Sequence, residues 1–298
     1  MVCLTLQRNN TKLINEALKV LGKENLALII HGSSFPSVIG EDTGFGTFNS
    51  NAGHSLIDYA SGIFNALQLG PAGKTKSSDS SPYTGTIFSG NPLFIDLKQL
   101  TEKKWDSILS EETFNKVVSN NPKQNQGRTC YSYIFNAQIE ALKEAWKNFK
   151  KKEKDGIFGS HLRKEFKTFK KENSFWLDND SLYEALSIEN GNDYWYSWKN
   201  ETDKRLLNPQ NNDEKKIFAK RINEIKTKYE DDIEFYKFCQ YILERQNEET
   251  KQYALSKGIK MIADRQVAFS DRDAWAYQSL FLDGWFLGCP PDYFSKDG

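Results

Sequence analysis

The sequence predicts a parallel α/β protein interrupted by a large helical insertion. Leu26–Ile30 and Ile63–Leu69 are short apolar runs that each end in a loop, with a helical stretch over 53–62 between them. A third run, Ile259–Ala263, follows the helix breaker Gly258 and ends in Asp264. Strand, loop, helix, strand is the order of a parallel sheet, and a continuous apolar run suits a strand buried on both faces.

Residues 11–21 (TKLINEALKVL) read as a helix before the first strand. That strand runs into His31-Gly32-Ser33-Ser34-Phe35-Pro36, and the second into Gly70-Pro71. About 190 residues then separate the second strand from the third. A strand-to-helix connection takes a few residues plus one helix, so this gap must hold an inserted subdomain. Phe135, Ile139, Leu142, Trp146 and Phe149 step by four and three, which makes one face of an amphipathic helix. Ile222, Ile225, Tyr229, Ile233 and Tyr236 repeat the rhythm. Lys150–Lys154 and Lys170–Lys171 read as solvated faces, and Ser77–Ser81 and Asn208–Asp213 as polar loops.

Composition bounds the function. The chain has 298 residues, with 40 Lys+Arg against 40 Asp+Glu and a formal net charge of +0. It therefore presents no basic field for nucleic acid or anionic lipid. A mean hydropathy of -0.66 with 27% charged residues argues against a membrane protein. The four cysteines and three histidines are scattered with no zinc-ligand spacing, so no metal is expected. Scattered thiols and an N-terminus without the apolar core of a signal peptide point to the cytoplasm. The 20 Phe, 13 Tyr and 7 Trp are many for so hydrophilic a chain. They mark a folded protein, since disordered chains are poor in aromatics.

In a parallel α/β fold, function gathers on the loops after the carboxyl ends of the strands. Three segments hold that position: His31–Gly44, Gly70–Asn91, and Asp264 onward through Asp271, Asp273 and Trp275 to GCPPDYFS at 288–295. Each mixes carboxylates or amides with aromatic rings, which suits a sugar, whose ring faces are apolar and whose edge is hydroxylated. Each also has a plainer explanation. Asp264 can cap the next helix or pair with a lysine, Tyr83 can be structural in its Ser-Pro-Tyr turn, and Asp292 can belong to an ordinary turn.

The same loops carry a resemblance. LIIHGSSFPSVIGEDTG (28–44), SSPYTGTIFSGNPLFIDL (80–97), SFWLDNDSLYEAL (174–186), IKMIADRQVAFSDRDAWA (259–276) and FLDGWFLGCPPDYFSKDG (281–298) resemble, in order, motifs of glycoside hydrolase family 77, the amylomaltases or 4-alpha-glucanotransferases. The resemblance implies an incomplete (β/α)8 TIM barrel: the first three strands, with the helical insertion between strands two and three. The implied divisions are 1–97 for the first two βα units, 98–257 for the insertion, and 258–298 for the third strand and the start of a substrate-covering loop. It further implies a retaining double displacement that moves α-1,4-glucan segments between maltooligosaccharides without a cofactor.

By the same resemblance the family's nucleophile, acid/base and third carboxylate follow the PPDYFS loop. No catalytic residue is therefore expected before Gly298, and the chain reads as an N-terminal portion that is inactive alone. Three of eight barrel strands leave open sheet edges, which favours self-association. Substrate-binding roles carry over to Ser81, Tyr83, Asp264, Asp292, Tyr293 and Phe294. Arg265 and Gln266 depart from the apolar-Pro pair usual after that aspartate, and the Gly70–Tyr83 loop is long and Ser-rich. The competing readings are a non-catalytic glucan-binding or scaffold protein of the same fold, and a barrel glycosidase that hydrolyses.

Overall fold

A computed structural model describes residues 2–154, 160–266, 269–282, 285, 290, 291, 293 and 296, without the side chains of 2–10, 152–154 and 160. Three short strands, β1 (Ala27–Ile30), β2 (Ala66–Leu69) and β3 (Lys260–Ile262), form a parallel sheet in the order β1-β2-β3. Ile30 lies opposite Leu69, and Gln68 opposite Ile262, so all three carboxyl ends reach the same edge. Helix α1 (Val2–Val20) precedes the sheet, and α2 (Asn51–Ser61) makes the first crossover. Ser50 caps α2 by accepting from the Gly53 N–H at 3.0 Å. Ile57 and Ala60 of α2 pack with Leu67, Ala254 and Ile259 beneath the sheet.

The second crossover is the insertion. It contains α3 (Leu97–Leu100), α4 (Glu111–Ser119), α5 (Tyr131–Lys154), α6 (Ser160–Glu172), α7 (Ser174–Asn190), α8 (Glu201–Lys204), α9 (Asn212–Lys228) and α10 (Glu230–Ser256). After β3 comes α11 (Asp271–Ala276). Of the α5 stripe, Leu142, Trp146 and Phe149 are buried in one cluster with Phe166 and Phe238, whereas Phe135 and Ile139 are half-buried. The second stripe belongs to two helices, because α9 ends at Lys228 and α10 begins at Glu230. The largest apolar cluster joins Phe35, Phe48, Leu69 and Phe94 to Ile134, Trp146 and Phe238, so the insertion and the first two βα units share one core.

Two expectations differ in detail. The second strand begins at Ala66 because Ile63 and Phe64 donate their N–H groups back to Ala60 O, closing α2. β1 is exposed on one face rather than buried on both. It is an edge strand, and Ile29 is 69% exposed.

Helix α10 is stitched to the β2 side by amide clamps. The Gln240 carboxamide donates to Gly90 O at 3.0 Å and accepts from Gly90 N at 2.8 Å. Gln246 makes the same pair with the backbone of Asp96. Asn49, fully buried, bonds Phe94 O, Asn247 and Thr250. A buried backbone needs such partners because no water reaches it.

Asp96 is the exception among these polar groups, since it is an acid. It caps α3 by accepting from Lys98 N at 3.2 Å. Burial is the main reason its pKa is pushed up to about 7. A folded-state pKa above the unfolded one means that ionisation opposes folding. The penalty is absent below the unfolded value of 3.8 and complete above about 7. Asp96→Asn, which can still cap, is expected to gain on the parent by up to about 4 kcal/mol as pH rises through that window. Urea denaturation of both proteins at acid and at neutral pH checks this, and a pH-independent difference contradicts it.

Candidate functional site

The edge where the three strands end is built from close backbone approach. The ring of His31, just past β1, lies against Gly70, just past β2. A Cβ at Gly70 would clash with the His31 ring, so a larger residue there requires the ring to move. The far side of His31 meets Tyr83 edge-on at 6.1 Å. Tyr83 is half exposed, beyond a loop whose sides are joined by the bridge between Gly73 and Gly90.

Beside this edge lies a cavity of about 430 Å³. Its floor is Leu69, Gly70 and Met261–Gln266 from the strand ends, and one wall is Thr86–Gly90. Phe169, Asn173 and Trp176 from α6, α7 and their junction form a second wall. Gln240, Glu244, Asn247 and Lys251 of α10 complete it. Flat rings (Phe88, Trp176) thus face amides and charged groups across one concave space, a composition suited to a polyhydroxylated ring.

Asp264 is the predicted residue that lines this cavity. Its Oδ1 accepts from the Arg265 N–H at 2.9 Å, and among the described residues no cation pairs with it. The plainer roles are not taken up. Ser270 caps α11, in a capping box with Asp273, and leaves Asp264 free of that duty.

The departures at 265 and 266 have a structural use. Arg265 donates to Ile87 O, and Gln266 donates to Gly85 O at 2.7 Å. The Asp273 carboxylate accepts from Ile87 N. Together they fasten the Gly85–Ser89 wall to the end of β3. Proline at 266 could not make the second of these contacts.

Ser81 and Tyr83 do not line the cavity. The Ser81 hydroxyl accepts from its own Tyr83 N–H at 3.3 Å and caps the short turn Pro82–Thr84. Its own N–H donates to Asp79 Oδ1 at 2.9 Å. Tyr293 is 93% exposed, and Asp292 and Phe294 lie outside the described residues.

What the sequence reading missed is the α10 wall. Residues 240, 244, 247 and 251 recur at steps of four, three and four, a polar stripe legible as one helix face. Among the described residues no group of three or more His, Cys, Asp or Glu is arranged to hold a metal. None of the described helices is long and apolar enough to cross a membrane.

The sequence model of glycoside hydrolase family 77, described as 4-alpha-glucanotransferase, matches residues 30–298. A 4-alpha-glucanotransferase of Clostridium butyricum is 30% identical over 90% of this chain and 51% of its own length. Those of Aquifex aeolicus and Thermus thermophilus are 28% and 29% identical. The chain spans about half the length of the curated relatives it matches. Among solved structures, amylomaltase from Streptococcus agalactiae, in complex with acarbose, superposes with a TM-score of 0.72 at 23% identity. That match covers 92% of this chain and 52% of the amylomaltase. The chain belongs to glycoside hydrolase family 77, the 4-alpha-glucanotransferases.

Proposed function

We propose that the chain is the glucan-holding part of a 4-alpha-glucanotransferase, and that its three strands are strands of a (β/α)8 barrel. The supporting observation is the cavity at the strand ends, where Asp264 shares one space with Phe88 and Trp176. Rings stack on the apolar faces of glucose while Asp264, Asn173 and Asn247 meet its hydroxyls. Tyr83, which lies outside the cavity lining and meets His31 edge-on, is assigned the role of covering a bound sugar. Ser81 serves the reading indirectly, by fixing the turn that carries Tyr83.

In this reading the reaction is a double displacement: a carboxylate attacks the anomeric carbon, an acid protonates the leaving oxygen, and an acceptor sugar then takes the glucosyl group. No carboxylate of residues 1–298 is assigned either role.

Incubation with maltotriose tests the proposal. Residues 1–298 are expected to bind it and leave it unchanged. A protein carrying these residues together with the family's catalytic carboxylates is expected to give a ladder of longer oligosaccharides. Glucose as the only product contradicts transfer, and absence of binding contradicts the glucan site.

A further inference from the structure

The segment between α7 and α8 exposes aromatic rings that the strand-end cavity does not use. Helix α7 stops at Gly191, whose φ of +70° reverses the chain. Tyr194, Trp195 and Tyr196 follow in one short turn. Tyr194 and Tyr196 are 50% and 51% exposed, and none of the three rings lines the cavity.

The rings are held in place. The Asn192 side-chain oxygen accepts from Tyr194 N at 3.1 Å and from the Ser197 hydroxyl at 3.0 Å. Ser197 donates its N–H back to Tyr194 O at 3.0 Å. Trp198, buried in the core, donates its indole N–H to Asn192 O at 3.0 Å. Trp195 packs on that core and stacks on Tyr196, with ring centres 3.8 Å apart. Tyr194 stands 5.4 Å from Tyr196 and is tilted by 46°.

We propose that this Tyr-Trp-Tyr turn is a second glucan-binding site, which takes consecutive glucose residues of a long α-1,4-glucan outside the strand-end cavity. Successive residues of such a glucan are inclined to one another because the chain curves. Two rigid rings tilted toward each other present a face to each, and preorganised rings lose little entropy on binding.

The surroundings fit a polyol better than a protein partner. The exposed residues that flank the rings in the chain, Asn192, Asp193, Ser197, Lys199 and Asn200, are all polar. A protein hot spot is instead ringed by groups that exclude water. The choice of glucan as ligand rests on the function proposed above.

Gel electrophoresis of the full chain through amylose, paired with maltotriose titration, separates the two ideas. Tyr194→Ala with Tyr196→Ala is expected to weaken amylose retardation about tenfold or more, since both stacking faces are lost together. Maltotriose binding and the melting midpoint are expected to hold. Tyr194→Phe with Tyr196→Phe is expected to keep the retardation. Tyr194→Ala alone leaves the Trp195–Tyr196 stack intact and is expected to lose part of it, which keeps the test open if the double exchange unfolds.

Retardation undiminished in both alanine variants overturns the second site and leaves the strand-end reading standing. Retardation that depends on the tyrosines, without maltotriose binding, supports the second site and sinks the strand-end reading. A parent chain that amylose does not retard overturns the second site outright, as does an alanine pair that changes oligomeric mass but not retardation.

Discussion

Arg272→Met is expected to destabilise the protein by about 3–5 kcal/mol, the range seen when one partner of a buried ion pair is removed. The Arg272 side chain is 7% exposed, between the rings of Tyr183 and Tyr236 at 5.0 and 5.1 Å. It donates to Asp180 O and to the Tyr236 hydroxyl, each at 2.8 Å, and to the Glu184 carboxylate. Lys74 reaches the same Glu184 oxygen at 2.8 Å. The Tyr236 hydroxyl donates to the Ser89 hydroxyl, and Ser89 donates to Asp180.

Burial alone would raise the pKa of Glu184. Lys74 first and Arg272 second overcome it and hold the group at about 2. Burial likewise lifts Asp180 to about 6 although Arg272 and Ser89 oppose it. Removing Arg272 takes away a counter-charge and two donors together. The melting midpoint is expected to fall on the order of ten degrees. Lysine cannot restore the planar fork, so Arg272→Lys is expected to rescue little. A scanning calorimetry trace for Arg272→Met that overlays the parent's removes this network from the account of stability.

Asp264→Asn is expected to weaken binding of maltooligosaccharides by about tenfold to 100-fold, because a hydrogen bond to a charged acceptor contributes about 1.5–3 kcal/mol. The exchange keeps the volume and one acceptor oxygen. It removes the charge and replaces the second acceptor with a donor. Among the described residues only the Arg265 N–H bonds this carboxylate, so the fold loses little. Stability is therefore expected to stay near the parent's while affinity falls, a combination that separates a ligand contact from a structural one.

The strands and the strand-end loops were legible in the sequence because each short apolar run is closed by loop residues or by Asp264. Asp264 was legible for the same reason, as the residue at a strand's carboxyl end. Tyr83 is legible as a loop residue after the second strand, but its edge-on contact with His31 is encoded by no spacing. The α10 stripe of Gln240, Glu244, Asn247 and Lys251 is visible as a period. Its meaning is not, since Gln240 clamps Gly90 across 150 residues of sequence. The Lys74–Glu184–Arg272 cluster reads as ordinary charge in the sequence. Only the folded chain shows three separated segments bringing these residues into one buried network. The Arg265 and Gln266 departures looked like damage to a motif, and in the fold they fasten the cavity wall.

The central proposal is that the strand-end cavity is a glucan site. Heat-flow titration of the 298-residue chain and of Asp264→Asn with maltoheptaose tests this most directly. Saturable binding to the parent and markedly weaker binding to an equally stable variant are expected. Equal affinity in the two proteins, or no heat of binding in either, contradicts it.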